Sequence, residues 1–214
     1  MDSLSPFLLG LFIIITLSIL FQLSGLCCTI WFYFQKPSPL NKKRSSFPGV
    51  TIIKPCHHHQ DKEEENFDHF FNQDYEKEFR APLELIFVVS TDKAPIIPII
   101  QSYLSKYPRA DAKLIISKTR NACWKKVDAL YDGHQIAKHD YVIWSDSDTI
   151  VQKNYVSQIV SSLEEDGVSV VTTPQYDTHA NNFASAFKTL GNNCDVATFL
   201  MRVDSAYTPE FRFF

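Results

Sequence analysis

The chain has 214 residues, 45% of them hydrophobic, and a formal net charge of −3 from 21 basic and 24 acidic side chains. Charge this close to balance excludes a general nucleic-acid binder, and the length leaves about one domain once an apolar N-terminal segment is set aside. The five cysteines, Cys27, Cys28, Cys56, Cys123 and Cys194, form no C-x-x-C pair and no zinc spacing, which excludes a thiolate metal framework and favours a reducing compartment over a disulfide scaffold.

From Phe7 to Phe34 no side chain is charged. As a helix rising about 1.5 Å per residue, this run would reach roughly 42 Å, more than a hydrocarbon core of about 30 Å, so it is expected to span a membrane with tilt. A cleaved signal peptide would have a shorter apolar core preceded by a basic flank, whereas the only charged residue ahead of this run is Asp2. Lys36, Lys42, Lys43 and Arg44 follow it, and the positive-inside rule then places the next domain in the cytosol. Trp31 and Tyr33 suit the interface before that cluster, and Cys27 and Cys28 near the membrane edge are open to palmitoylation.

The expected organisation is an anchor over residues 1–35, a basic juxtamembrane linker over 36–48 that contains Pro37 and Pro39, and a domain over 49–214. Within that domain, apolar β-rich runs predict strands at 49–53, 83–90, 113–117, 141–145 and 168–173. Helical patterns fall near 62–72, 96–106, 123–138 and 152–166. In the second of these, Ile96, Ile99, Ile100, Tyr103 and Leu104 recur at helical spacing. Continuous apolar strands alternating with helices predict an α/β domain with a mainly parallel, Rossmann-type sheet covered on both faces. Ligands on such sheets bind beyond the carboxyl ends of the strands. Asp61–Glu78 holds eight carboxylates against two lysines and reads as a solvated helix face and loop.

The six glycines, at 10, 25, 49, 133, 167 and 191, spell neither G-x-G-x-x-G nor a phosphate-cradling G-x-x-x-x-G-K-[ST], which disfavours dinucleotide oxidoreductases and P-loop enzymes. No G-x-S-x-G nucleophile elbow is present. The strongest positive signal is Asp146-Ser147-Asp148 directly after the strand YVIWS. In extended backbone, residues i and i+2 point the same way, so Asp146 and Asp148 would share a hard divalent cation, Mg2+ or Mn2+, at the ligand edge. Such an ion offsets charge on a departing diphosphate. The other reading is a polar turn that ends the strand. Asp92 follows the strand at 83–90 in the same way; it could accept hydrogen bonds from a base or ribose, or serve as a turn residue beside Lys93 and Pro95. Lys126, at the start of the third helix, could reach a diphosphate as a point charge or be a solvated helix lysine. His57-His58-His59 reads as a loop of exposed histidines, since three adjacent side chains rarely converge on one ion.

Several segments in order resemble one family. They are Val50-Thr51-Ile52-Ile53-Lys54-Pro55, Asp74-Tyr75, the strand leading to Asp92, Lys106-Tyr107-Pro108 and Asp111-Ala112-Lys113-Leu114. Lys126-Val127-Asp128-Ala129-Leu130, Ala137-Lys138-His139-Asp140, Ile143-Trp144-Ser145-Asp146-Ser147 and Leu200-Met201-Arg202 with Asp204 complete the set. Their order and spacing are similar to ceramide glucosyltransferase, an inverting family with a GT-A catalytic fold, over about residues 50–204. The resemblance implies transfer of glucose from UDP-glucose to the primary hydroxyl of ceramide in the Golgi membrane. It makes Asp92, Lys126 and Asp146 donor-binding residues and gives Asp148 as a second carboxylate for the metal.

Two departures stand out. Cys56-His57-His58-His59 replaces the family's leucine, lysine and glycine, and Asp148 stands where animal ceramide enzymes often show glycine. The family's catalytic-base aspartate and Gln-x-x-Arg-Trp motif are expected beyond Phe214, so the chain as written is expected to be C-terminally incomplete and to lack transferase activity. Inverting transfer needs a base within hydrogen-bond reach of the acceptor hydroxyl. Another lipid or polysaccharide glycosyltransferase of the same fold remains open, as does a non-catalytic, membrane-tethered module that binds a nucleotide or a protein partner.

Overall fold

The structure is a computed structural model and describes residues 5–34, 46–56, 63–119, 121–173, 175, 177, 182–192 and 211–213. The chain divides into two compact units, Leu40–Gln158 and Met1–Pro39 with Ile159–Phe214.

In Leu40–Gln158, β1 (Val50–Cys56), β2 (Leu83–Val89), β3 (Asp111–Ile116) and β4 (Tyr141–Trp144) form one sheet in the order β3-β2-β1-β4, and every pair is parallel. The two central strands are buried along their whole length, which accounts for their continuous apolar sequence. Alternation divides their side chains between two layers. On one face Ile53, Ile86 and Val88 pack with Ala129 of α5 (Lys125–Gln135). On the other face Phe87 meets Phe67 edge-on at 5.0 Å and Phe71 at 6.0 Å, both from α2 (Glu63–Phe71). Phe71 in turn stacks on Tyr107 at 4.7 Å, just after α4 (Ile97–Lys106). Pro98 fits the first turn of α4, where no N–H is needed.

Helix α5 approaches the sheet closely because of Gly133. A Cβ added there would meet Ile53 Cγ2 at 2.6 Å and Val88 Cγ2 at 3.2 Å, and neither is the end of a flexible chain. A one-turn helix, α3 (Asp74–Lys77), buries Tyr75, whose hydroxyl donates to Pro48 O at 2.6 Å. Helix α6 (Tyr155–Leu163) spans the boundary between the units.

In the second unit, α1 (Pro6–Phe34) is apolar, and large apolar side chains from Phe7 to Phe34 stand exposed on it. Its stretch Pro6–Cys28 is long and apolar enough to cross a membrane. Two of its hydroxyls fold back on the helix, Thr16 Oγ1 to Phe12 O at 2.8 Å and Ser24 Oγ to Phe21 O at 2.7 Å, which would leave these two satisfied in lipid. β5 (Val170–Thr172) pairs in parallel with β6 (Phe211–Phe213). Helix α7 (Phe183–Gly191) starts at a reciprocal cap: Ser185 N donates to Asn182 Oδ1 at 2.8 Å, and Asn182 N donates to Ser185 Oγ at 3.0 Å.

The predicted strands within 49–145 and all four predicted helices are present within a few residues. The fifth predicted strand is shorter than expected and, among the described residues, joins β6 rather than the four-stranded sheet. α3, α7 and β6 were not predicted. Lys36, Lys42, Lys43, Arg44, the three adjacent histidines, Asp61, Cys194 and the segment 200–204 lie outside the described residues.

Candidate functional site

The sheet reverses direction at β1. The chain runs outward through β2 and β3, then returns to the other side of β1 as β4. Such a reversal leaves a crevice at the carboxyl ends of the two adjacent strands. β4 is in register with β1 as far as Ile53 and Trp144, and Ser145 N continues the ladder to Ile53 O at 3.1 Å. Lys54, the next residue of β1, therefore comes against Ser145 and Asp146, which follow β4.

Lys54 is 1% exposed. Its Nζ donates to Asp146 O at 2.6 Å and Ser145 Oγ at 3.3 Å and lies 3.6 Å from the centre of the Phe70 ring. A buried ammonium is costly unless partnered in this way. Asp146 O also accepts from Thr149 N at 3.4 Å, so the chain turns over Asp146–Thr149 instead of staying extended. This corrects the expectation that backbone alternation aligns Asp146 with Asp148. The anchored carbonyl reverses the chain at once, and Asp148 stands exposed on the turn.

The segment after the turn is held by Gln73. Its Nε2 donates to His69 O at 2.8 Å and Gln152 O at 2.9 Å, while its Oε1 accepts from Val156 N at 3.1 Å. Asp74 N adds a bond to Lys153 O at 2.8 Å.

From the other side, α5 brings Lys126 to the same point, with Nζ 2.5 Å from Asp146 Oδ1 and both side chains partly exposed. The loop that leads into α5 is organised by two helix carboxylates. Asp128 accepts from Asn121 N at 3.2 Å and Ala122 N at 2.9 Å. Asp132 accepts from Ser117 Oγ, Lys118 N and Thr119 N at 2.7–3.0 Å and from Thr119 Oγ1. Burial pushes the Asp132 carboxyl up, but these bonds, led by the Thr119 hydroxyl, outweigh it and lower its pKa to about 2.

Of the residues picked from sequence, Asp146 and Lys126 are therefore in contact. Asp92 lies exposed after β2, and its Oδ1 accepts from Thr91 Oγ1 at 3.3 Å. Lys54 and Gln73 were missed. A lysine inside the buried run Val50–Cys56 was the available signal, since charge survives burial only with partners. Among the described residues no three His, Cys, Asp or Glu side chains gather as a metal site. A metal held here would have Asp146 and Asp148 as its carboxylate ligands. That suits Mg2+ or Mn2+ completed by phosphate oxygens and water, and it does not suit a zinc site of nitrogen and sulfur ligands.

This sheet order, with carboxylates and lysines at its reversal point, defines a GT-A-like glycosyltransferase fold. Solved structures agree. A mannosyltransferase from Pyrobaculum calidifontis, PcManGT, in complex with GDP-Man and Mn2+, superposes with a TM-score of 0.53 at 20% identity, covering 74% of this chain and 46% of that one. S. aureus TarS 1-349 gives 0.50 at 16% identity, covering 63% and 37%. At such identities these likenesses establish the fold alone.

The sequence model of glycosyl transferase family 21 matches residues 10–205, and the chain belongs to that family. It is similar to ceramide glucosyltransferase 3 of Caenorhabditis elegans, 26% identical over 148 residues, which cover 69% of this chain and 31% of the relative. It is also similar to the ceramide glucosyltransferase of Candida albicans, 30% identical over 135 residues, which cover 58% and 24%. The chain thus spans less than a third of the length of these curated relatives.

Proposed function

We propose that this chain carries the nucleotide-sugar site of a membrane-anchored glycosyltransferase, and that the specific reaction is transfer of glucose from UDP-glucose to ceramide. The observation that carries the site is the contact of Lys126 with Asp146 over the buried Lys54. It concentrates two cations and a carboxylate at the sheet reversal, where a diphosphate can be held. The names of the curated relatives support glucose and ceramide. The anchor and the basic run at 36–44 support a cytosolic domain, where nucleotide sugars are available, and the resemblance supports the Golgi membrane.

In this reading Asp146 and Asp148 hold Mg2+ or Mn2+, which offsets the charge that builds on the leaving diphosphate. Lys126 contacts a diphosphate oxygen, and Asp92 hydrogen-bonds the base or ribose. Lys54 fixes the main chain beneath the carboxylates.

Isothermal titration of the full chain in detergent with UDP-glucose, with and without Mn2+, tests the reading. Metal-dependent binding that Asp146→Ala abolishes is expected. A folded sample that binds no UDP-glucose in either condition overturns it.

A second reading, another lipid glycosyltransferase of the same fold, is favoured by the complete Asp-x-Asp at 146–148, where animal ceramide enzymes often carry glycine. GDP-mannose outcompeting UDP-glucose in the same titration would select it.

A further inference from the structure

Two lysines hold Asp146, and they hold different parts of it. Lys54 is buried and bonded to the main-chain carbonyl, so breaking that bond would strand a buried ammonium without its principal acceptor. Lys126 is 46% exposed and bonded to the side-chain carboxylate, itself 41% exposed. A contact of that kind is weak and easily exchanged. The position of Lys126 also serves no helical purpose. It stands beside Lys125 in the first turn of α5, where the helix dipole disfavours positive charge.

We propose that Lys126 is an exchangeable counter-ion for Asp146. Without ligand its ammonium occupies the carboxylate oxygen that a divalent cation needs. When the cation arrives with a nucleotide diphosphate, the carboxylate passes to the metal and the ammonium passes to a diphosphate oxygen. Lys54 keeps the main chain in place during the exchange. The inference rests on the donor-site reading above and adds a consequence: metal and nucleotide each remove an obstacle to the other, so they bind with positive coupling.

The test uses the full chain in detergent with two probes, Mn2+ alone by electron paramagnetic resonance and UDP by calorimetry at fixed Mn2+. Lys126→Gln is expected to tighten Mn2+ alone about threefold, the worth of a released exposed pair. It is expected to weaken UDP about tenfold, the loss of one charge-assisted contact. Lys125→Gln removes the same charge one residue away and is expected to change either affinity less than about twofold.

Mn2+ affinity that is unchanged or weaker in Lys126→Gln overturns the exchange. So does an equal gain in Lys125→Gln, which would mean a general field effect. If the unsubstituted chain binds both probes and Lys126→Gln alters neither, the exchange alone falls. If the unsubstituted chain binds neither Mn2+ nor UDP, the donor-site reading falls with it.

Discussion

The two edges of one parallel sheet handle charge in opposite ways. At the amino edge, Glu84 of β2 is fully buried, with one carboxylate oxygen hydrogen-bonded and the other in an ion pair. It accepts from Thr51 Oγ1 at 2.8 Å and Lys138 N at 2.9 Å, and it pairs with Lys113 Nζ at 2.7 Å. That one carboxylate ties β1, β2, β3 and the turn before β4. At the carboxyl edge, Asp92, Asp146 and Asp148 reach solvent, and only Asp146 has a cationic partner among the described residues. A carboxylate saturated by its own protein stabilises the fold and has nothing left for a ligand. Carboxylates left part-satisfied at strand ends are where a ligand can bind.

Substitutions at each edge sharpen this contrast. Glu84→Ala is expected to lower stability most, by about 3 kcal/mol, since it orphans buried partners. Calorimetry should register a fall in Tm of about 6–12 °C, with the donor affinity of the folded fraction unchanged. Asp146→Ala should do the reverse. It is expected to weaken metal-dependent UDP-glucose binding on the order of 100-fold, about 2.7 kcal/mol, while stability by urea titration moves less than about 1 kcal/mol. Equal stability losses from the two substitutions would break the comparison. Gly133→Ala is expected to cost about 2 kcal/mol, because α5 must move off Ile53. Since α5 carries Lys126, donor affinity should fall with it, which would be seen by titration of the folded protein.

The smallest expected effect is on pH dependence. For Glu84, burial acts to raise the pKa, but the hydrogen bonds led by Lys113 leave it below its ordinary 4.5. The Asp132 pKa lies at about 2, against an ordinary 3.8. Both groups bind fewer protons folded than unfolded, so Glu84 loses its stabilisation as pH falls from 4.5 through its lowered pKa, and Asp132 loses its own between pH 3.8 and about 2. A Tm–pH series should show this loss, and Asp132→Asn should flatten the part between pH 3.8 and 2.

Much of the sheet was legible because fully buried strands must be written as unbroken apolar runs, as in Leu83–Val89. The apolar anchor was legible for the same reason. The site was legible only one residue at a time. That Lys126 meets Asp146 depends on strand order, which places β4 beside β1 and α5 across them, and no local periodicity encodes that order. The turn at 146–149 was hidden because a buried lysine from another strand sets it. Helix α7 was overlooked although its Asn182–Ser185 cap and the helical spacing of Phe183, Phe187 and Leu190 were both readable.

The anchor carries one further consequence. From Leu11 to Ile15 of α1 the exposed apolar side chains run consecutively, so over that stretch they reach every side of the helix. A bilayer would meet the same apolar surface over that stretch at every rotation about the helix axis. In a bilayer such a helix is a swivel. Its rotation there would be set by contacts other than those with lipid.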